Sequence, residues 1–197
     1  MLIALDIAFK NIGWTLWENK HPIMAGVIQT EKTQNKQTRV CDDNAYRCSV
    51  AARTLHEIIR RHSVKAIIGE SPMGSQSAAA AKSAGLAIGL VATTACLLDL
   101  PIEFCTPDAV KKAVTGRKDA SKDDIMDRVI ELYGGSKTVK TIPVIRGKRA
   151  GKESERVDYH FLGGVWPKRT FEHIADSYGA YLALQDNNLV RMFGEKN

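Results

Sequence analysis

Asp6 closes the apolar run Leu2-Ile3-Ala4-Leu5, and Glu70 closes a second one, Ala66-Ile67-Ile68-Gly69. A carboxylate delivered by a buried strand is costly unless it is paired or holds a cation. A third acid stands in His173-Ile174-Ala175-Asp176, where the local pattern is helical. Helical residues three apart share a face, so His173 and Asp176 can present an imidazole and a carboxylate to one point. Three carboxylates and an imidazole form an oxygen-rich donor set suited to Mg²⁺ or Mn²⁺, completed by waters and substrate phosphate oxygens. Two such ions can stabilise the attacking water and the leaving oxygen of an in-line phosphoryl displacement, so the chemistry expected is phosphodiester hydrolysis. Taken singly, each acid is more often a turn or helix cap and His173 a packing residue. Spacing alone shows no convergence, and residues so far apart in sequence can meet only through the fold.

The elements that would carry them alternate. Leu2 to Ile7, Gly13 to Trp17 and Ile23 to Thr30 read as three strands of an antiparallel meander, separated by Lys10-Asn11 and by Asn19-Lys20-His21-Pro22. Ala51, Leu55, Ile58, Ile59 and His62 give Asn44 to His62 a one-sided helical spacing, leading into a strand from Lys65 to Glu70. Gln76 to Asp99 reads as a long helix and Pro101 to Cys105 as a strand. Thr106-Pro107 caps a helix over Ala109 to Thr115, and Ser121 with Asp124 forms a capping box for a helix through Leu132. Gly134 to Lys168 lacks sustained periodicity and reads as a long excursion with a hairpin around Arg146 to Lys152. Thr170 is expected to cap a final helix with Phe171, Ile174, Ala175, Tyr178 and Leu182 on one face. The pattern predicts an α/β fold, a mixed five-stranded sheet of a three-strand antiparallel meander plus two parallel strands, flanked by helices.

The chain's 197 residues and 44% hydrophobic content suit a single domain with a sizeable core. Its formal charge of +6 favours a polyanionic partner. The segment from Lys137 to Arg169 holds nine basic and three acidic residues, the equal of that whole excess. The charge alone does not separate nucleic acid from a membrane surface; with a nucleic acid as partner, the segment's Arg146, Lys148 and Arg149, with Tyr159, Phe161 and Trp166 interleaved, would reach along the strand or stack on an opened base. Cys41, Cys48, Cys96 and Cys105 lack the paired short spacings of a zinc site and read as reduced, partly buried thiols. The N-terminus lacks the basic flank of a signal peptide. The apolar segment Ala78 to Leu98 is broken by Lys82 and suits a buried helix better than a membrane span. A soluble cytoplasmic protein without membrane association is expected. No glycine-rich phosphate loop follows a strand, so no nucleotide cofactor is expected.

Leu2 to Asp6 with a second strand at Gly13, Ile67-Ile68-Gly69-Glu70 leading into a small-residue helix, Val110 to Gly116 with Ser121-Lys122, and the terminal His173-x-x-Asp176 together resemble the RuvC family of Holliday junction resolvases. The resemblance runs in order through most of the chain, excluding about residues 136–169. It implies a ribonuclease H-like fold and a single nuclease domain over residues 1–197, with 136–169 as a basic insertion. It also implies a homodimer and Mg²⁺-dependent nicking of two opposed strands at a four-way DNA junction, leaving 5′-phosphate and 3′-hydroxyl ends. Asp6, Glu70 and Asp176 match the family's metal-binding carboxylates, with two ions per site expected. His173 stands where many bacterial members have a fourth Asp, and a neutral imidazole there can bind metal or help orient and deprotonate the attacking water. Lys111 and Lys122 match the active-site lysines, with Lys112 and Lys118 as adjacent alternatives for the DNA contact. Met73 lies near the position where members probe the junction centre. The small-residue stripe Ala81, Gly85, Gly89 and Ala92 serves either the protein's own sheet or the dimer interface. Two rival readings are a ribonuclease H-like nuclease acting on flap DNA or RNA–DNA hybrids, and a structure-specific DNA-binding module with a degenerate metal site.

Overall fold

The computed structural model describes residues 1–72, 77–143 and 153–194. β1 (Leu2–Asp6), β2 (Asn11–Glu18) and β3 (His21–Gln29) form the antiparallel meander. Asn19 and Lys20 both take positive φ, 51° and 66°, closing a two-residue hairpin so that the strands run on to Glu18 and His21. α1 (Val40–Arg61) crosses to β4 (Ala66–Glu70), which pairs in parallel with β1, and α2 (Ala78–Leu97) crosses to β5 (Ile102–Cys105), parallel to β4. The sheet order β3-β2-β1-β4-β5 is the expected mixed five-stranded sheet. α3 (Pro107–Thr115) is capped by Thr106, and α4 (Lys122–Tyr133) opens on the Ser121/Asp124 capping box.

Strand pleating divides the core. Leu2 and Ala4 of β1 and Ala66 and Ile68 of β4 face one layer, whereas Ile3, Leu5 and Ile67 face α1 and α2 on the other. Continuing the period of two, Asp6 and Glu70 fall on the first face. That face is covered by α5 (Lys168–Leu184), whose Phe171, Ile174, Ala175 and Tyr178 are fully buried. Trp17 of β2 stacks on Tyr181 of α5 at a centroid separation of 3.5 Å, fixing the C-terminal half of this helix against the sheet. α3 packs on α5 at Gly179, where a Cβ would stand 2.6 Å from Val110 Cγ1.

Several expectations need correction. The described part of the expected excursion is regular: β6 (Ser136–Pro143), β7 (Glu153–Phe161) and β8 (Gly164–Pro167) form a second antiparallel sheet. Tyr159 and Phe161 are buried in the same core as α5, with Tyr159 stacked on Phe171, and Trp166 donates Nε1–H to the Phe161 carbonyl. Tyr159 and Phe161 are packing residues and cannot stack on a base, whereas Trp166 is half-buried against the same core. The final helix begins at Lys168 behind Pro167, which fixes the entry, so Thr170 lies inside the helix and is not its cap. α1 begins at Val40, four residues before the expected start, since Arg39 takes the extended N-cap conformation and Asp42 and Asp43 favour a first turn.

A further correction concerns α2. It is long and apolar enough to cross a membrane by length and composition. Ala87, Val91, Thr94 and Ala95 pack inward, while Gly85 and Gly89 have open space where a Cβ would stand and Leu97 is 78% exposed. It is therefore a half-covered helix, not a buried one. Among the thiols, Cys105 is buried and Cys48 half-buried, whereas Cys41 and Cys96 are exposed; all four are free.

Candidate active site

Parallel register makes Asp6 and Glu70 direct Cα partners at the C-terminal ends of adjacent central strands, and the pleat turns both toward α5. Across β1, Asp6 is also the partner of Gly13. A Cβ on Gly13 would lie 2.0 Å from the His173 carbonyl oxygen, so only glycine lets α5 lie this close to β2. That approach brings His173 and Asp176 over the two strand-end acids. Gly13→Ala is expected to cost about 2–3 kcal/mol or more, because the clash is with backbone that no rotamer change relieves. A denaturant titration and a nicking assay should show stability and activity falling together.

His173 is the centre of a hydrogen-bonded chain. Asn11 Nδ2 donates to His173 Nε2 at 3.0 Å, which leaves the proton of the neutral imidazole on Nδ1, from where it is donated to Asp6 Oδ2 at 2.6 Å. The His173 and Asp6 side chains are 19% and 13% exposed, so the pair sits in a recess with a limited solvent path.

The acids act on one another. Burial, then the Asp176 and Asp6 carboxylates, push Glu70 up to about 8, with Lys122 and Lys111 pulling the other way. Burial and the Asp6 charge hold Asp176 well above the usual carboxylate range, opposed by Lys122, His173 and Lys111. Burial and the neighbouring Glu70 push Cys105 up to about 12, making it an inert thiol. Asp6, Glu70, His173, Asp176, Lys111 and Lys122 thus share one electrostatic neighbourhood. Lys122 is held against Glu172, one residue before His173, while α3, seated on Gly179 through Val110 and Val114, carries the half-buried Lys111.

Lys112 and Lys118 are exposed and are not among the groups that shift Glu70 or Asp176. Met73, Arg146, Lys148 and Arg149, and the hairpin expected around Arg146 to Lys152, lie outside the described residues. Sequence reasoning missed Asn11 and Gly13. Asn11 offered no signal beyond a polar residue opening an apolar strand, whereas the Gly13-Trp14 step in a strand was a recognisable sign of close backbone approach.

The donor set fits a divalent cation. Register and helix packing draw three carboxylates together, burial and neighbouring charge raise Glu70 and Asp176, and a cation would relieve both effects. Among the described residues no three His, Cys, Asp or Glu side chains already close around a single ion. The backbone supplies the common face, and the Asp6 side chain turns to His173.

Comparison with known proteins gives a consistent result. The family model described as crossover junction endodeoxyribonuclease RuvC matches residues 15–142. That stretch includes Glu70, Lys111 and Lys122 and leaves Asp6, His173 and Asp176 outside. The chain is similar to the RuvC crossover junction endodeoxyribonuclease of Pseudothermotoga lettingae, 35% identical over 104 residues, which are 53% of this chain and 59% of the relative. The match thus spans somewhat over half of the relative's length. The fold is similar to that of Thermus thermophilus RuvC solved with a Holliday junction substrate, with TM-score 0.60 and 18% identity over 92% of this chain and 90% of that one. A second T. thermophilus RuvC structure gives TM-score 0.58 and 18% identity over 98% and 96% of the two chains.

Proposed function

The chain belongs to the RuvC family, with its ribonuclease H-like fold, and from that membership we propose that it is a structure-specific endonuclease resolving four-way DNA junctions. Its products would be paired nicks bearing 5′-phosphate and 3′-hydroxyl ends. The observation that carries this reading is the register pairing of Asp6 with Glu70 beneath the helix that bears His173 and Asp176. Mg²⁺, with Mn²⁺ as a substitute, would be held by Asp6, Glu70 and Asp176 with His173 beside them, two ions per site supplying charge stabilisation at the phosphate and an activated water. Asp6 occupies the central position, between His173 on one side and the Glu70 and Asp176 charges on the other. His173 would take a proton from the attacking water at Nε2 once that nitrogen exchanges its Asn11 hydrogen bond for the water, while Nδ1–H stays on Asp6. Lys111 and Lys122 offset negative charge as the phosphate enters, and they position the backbone without reading sequence. Lys112 and Lys118 are exposed and could contact the same backbone. Residues 1–197 act as one nuclease domain in which 136–169 is an insertion rooted in the core by Tyr159 and Phe161.

Cutting two opposed strands needs two sites, and a homodimer supplies them. The half-covered α2 supports this: Gly85 and Gly89 stand open, and a shallow groove lined by Cys48, Ala52, Leu86 and Leu90 separates it from α1. Gly89→Arg places a charged side chain in open space, so the monomer should stay folded. Sedimentation should show dimerisation weakened at least tenfold, and single nicks should replace paired ones. An unchanged dimer would move the interface elsewhere.

The substrate assignment is tested by comparing a four-way junction, a flap, a linear duplex and an RNA–DNA hybrid, each with and without Mg²⁺. Symmetric nicks on the junction alone, only with the metal, are expected. Preferential cutting of the flap or hybrid would overturn the junction assignment.

A further inference from the structure

A second cationic recess opens at the turn between β1 and β2, where Arg47 of α1 packs on Phe9. It is lined by Lys10, Glu31, Lys32, Gln34 and Arg47, three cations against one acid. Lys10 directly precedes Asn11, the residue that holds His173, so the recess begins one residue from the catalytic chain of hydrogen bonds.

The recess is a built feature. Thr30 receives the turn in two ways, its N–H donating to the Lys10 carbonyl at 2.8 Å and its hydroxyl to the Phe9 carbonyl at 2.8 Å. Arg47 of α1 lies over the Phe9 ring at 4.2 Å and donates Nε–H to Thr30 Oγ1 at 3.2 Å. Buried Asp43 accepts the Thr33 N–H at 2.9 Å, tying down the loop that carries Lys32 and Gln34. The nearby acids on α1 are therefore engaged: Asp43 holds the loop and Asp42 pairs with Arg39. Among the described residues Lys10 and Lys32 form no ion pair, and both are exposed. Two ammonium groups, an amide and an Arg whose terminal nitrogens make no hydrogen bond among the described residues are donors suited to phosphate oxygens.

We infer that this recess binds the phosphodiester backbone of a DNA arm, holding the cleaved strand on the far side of the scissile phosphate from Lys111 and Lys122. The inference rests on the nuclease reading above. Cations on both flanks fix a strand's direction across the site, whereas those on one flank leave it free to pivot.

The test is the salt dependence of four-way junction binding by full-length protein in Ca²⁺, for wild type, the double variant Lys10→Ala/Lys32→Ala, and Lys65→Ala. Lys65 is exposed at the opposite end of the sheet, beside the start of β4. Each lost phosphate contact lowers the slope of log K against log salt by about 0.9, so the double variant should lose nearly two and Lys65→Ala nothing. Thermal melts should coincide, since both lysines are exposed. Wild-type slope in the double variant, beside normal wild-type binding, overturns this inference alone. Failure of the wild type to bind junctions overturns it together with the nuclease reading.

Discussion

Asp6→Asn is expected to lower junction cleavage by about 10³-fold or more while leaving junction affinity within a few-fold of wild type. Asn keeps the size of the side chain, and its carbonyl oxygen still accepts the Nδ1 proton of His173, so the hydrogen bond now 2.6 Å long survives in kind. What is lost is the central charge. Asp6 is a cause of the raised protonation of both Glu70 and Asp176, so removing it should also let those two acids ionise more readily. Binding should persist because Lys111, Lys122 and the basic recess are untouched. Gel-shift titration and nicking under single turnover separate the two effects. Near-normal nicking would remove Asp6 from the centre of the site.

Glu70→Gln should abolish cleavage and yet stabilise the metal-free protein at alkaline pH. Burial and the Asp176 and Asp6 charges push Glu70 up to about 8 from its ordinary value of 4.5, so in that interval the native state holds a proton that the unfolded chain has released. Stability linked to this proton is fully present below about 4.5 and is lost as pH rises through about 8. The shift corresponds to an upper limit on the order of a few kcal/mol. Glutamine cannot ionise, so the variant should lack this part of the pH slope. Melting in chelator at pH 5 should find the two proteins alike, and at pH 8.5 the variant should melt higher. Mg²⁺ should raise the wild-type melting temperature at pH 8.5 and leave the variant nearly unmoved. Parallel pH profiles would contradict the account of a crowded carboxylate site.

The two strand-end acids were legible because each breaks an apolar run where burial makes a carboxylate conspicuous, and His173 with Asp176 because helical spacing puts them on one face. Their convergence was not legible from local pattern. It depends on the parallel register of Leu2–Asp6 against Ala66–Glu70 and on a backbone contact between Gly13 and His173, both pairings distant in sequence. The second sheet escaped detection for a different reason. β6 is exposed at nearly every position, and a strand that buries almost nothing carries no hydrophobic alternation. The Tyr159-His160-Phe161 step did alternate, and it marked the buried end of β7, which the high charge of the segment obscured. Charge marked the segment as basic but said nothing about which of its aromatic residues face the core.

The most direct test of the central claim, that Asp6, Glu70 and Asp176 form one divalent-metal site, is titration of Mn²⁺ into DNA-free protein followed by loss of the free-ion paramagnetic signal. Wild type should bind Mn²⁺ more tightly as pH rises toward 8 and Glu70 releases its proton. Asp6→Asn should weaken that binding at least tenfold. Equal Mn²⁺ affinity in the two proteins would contradict the account.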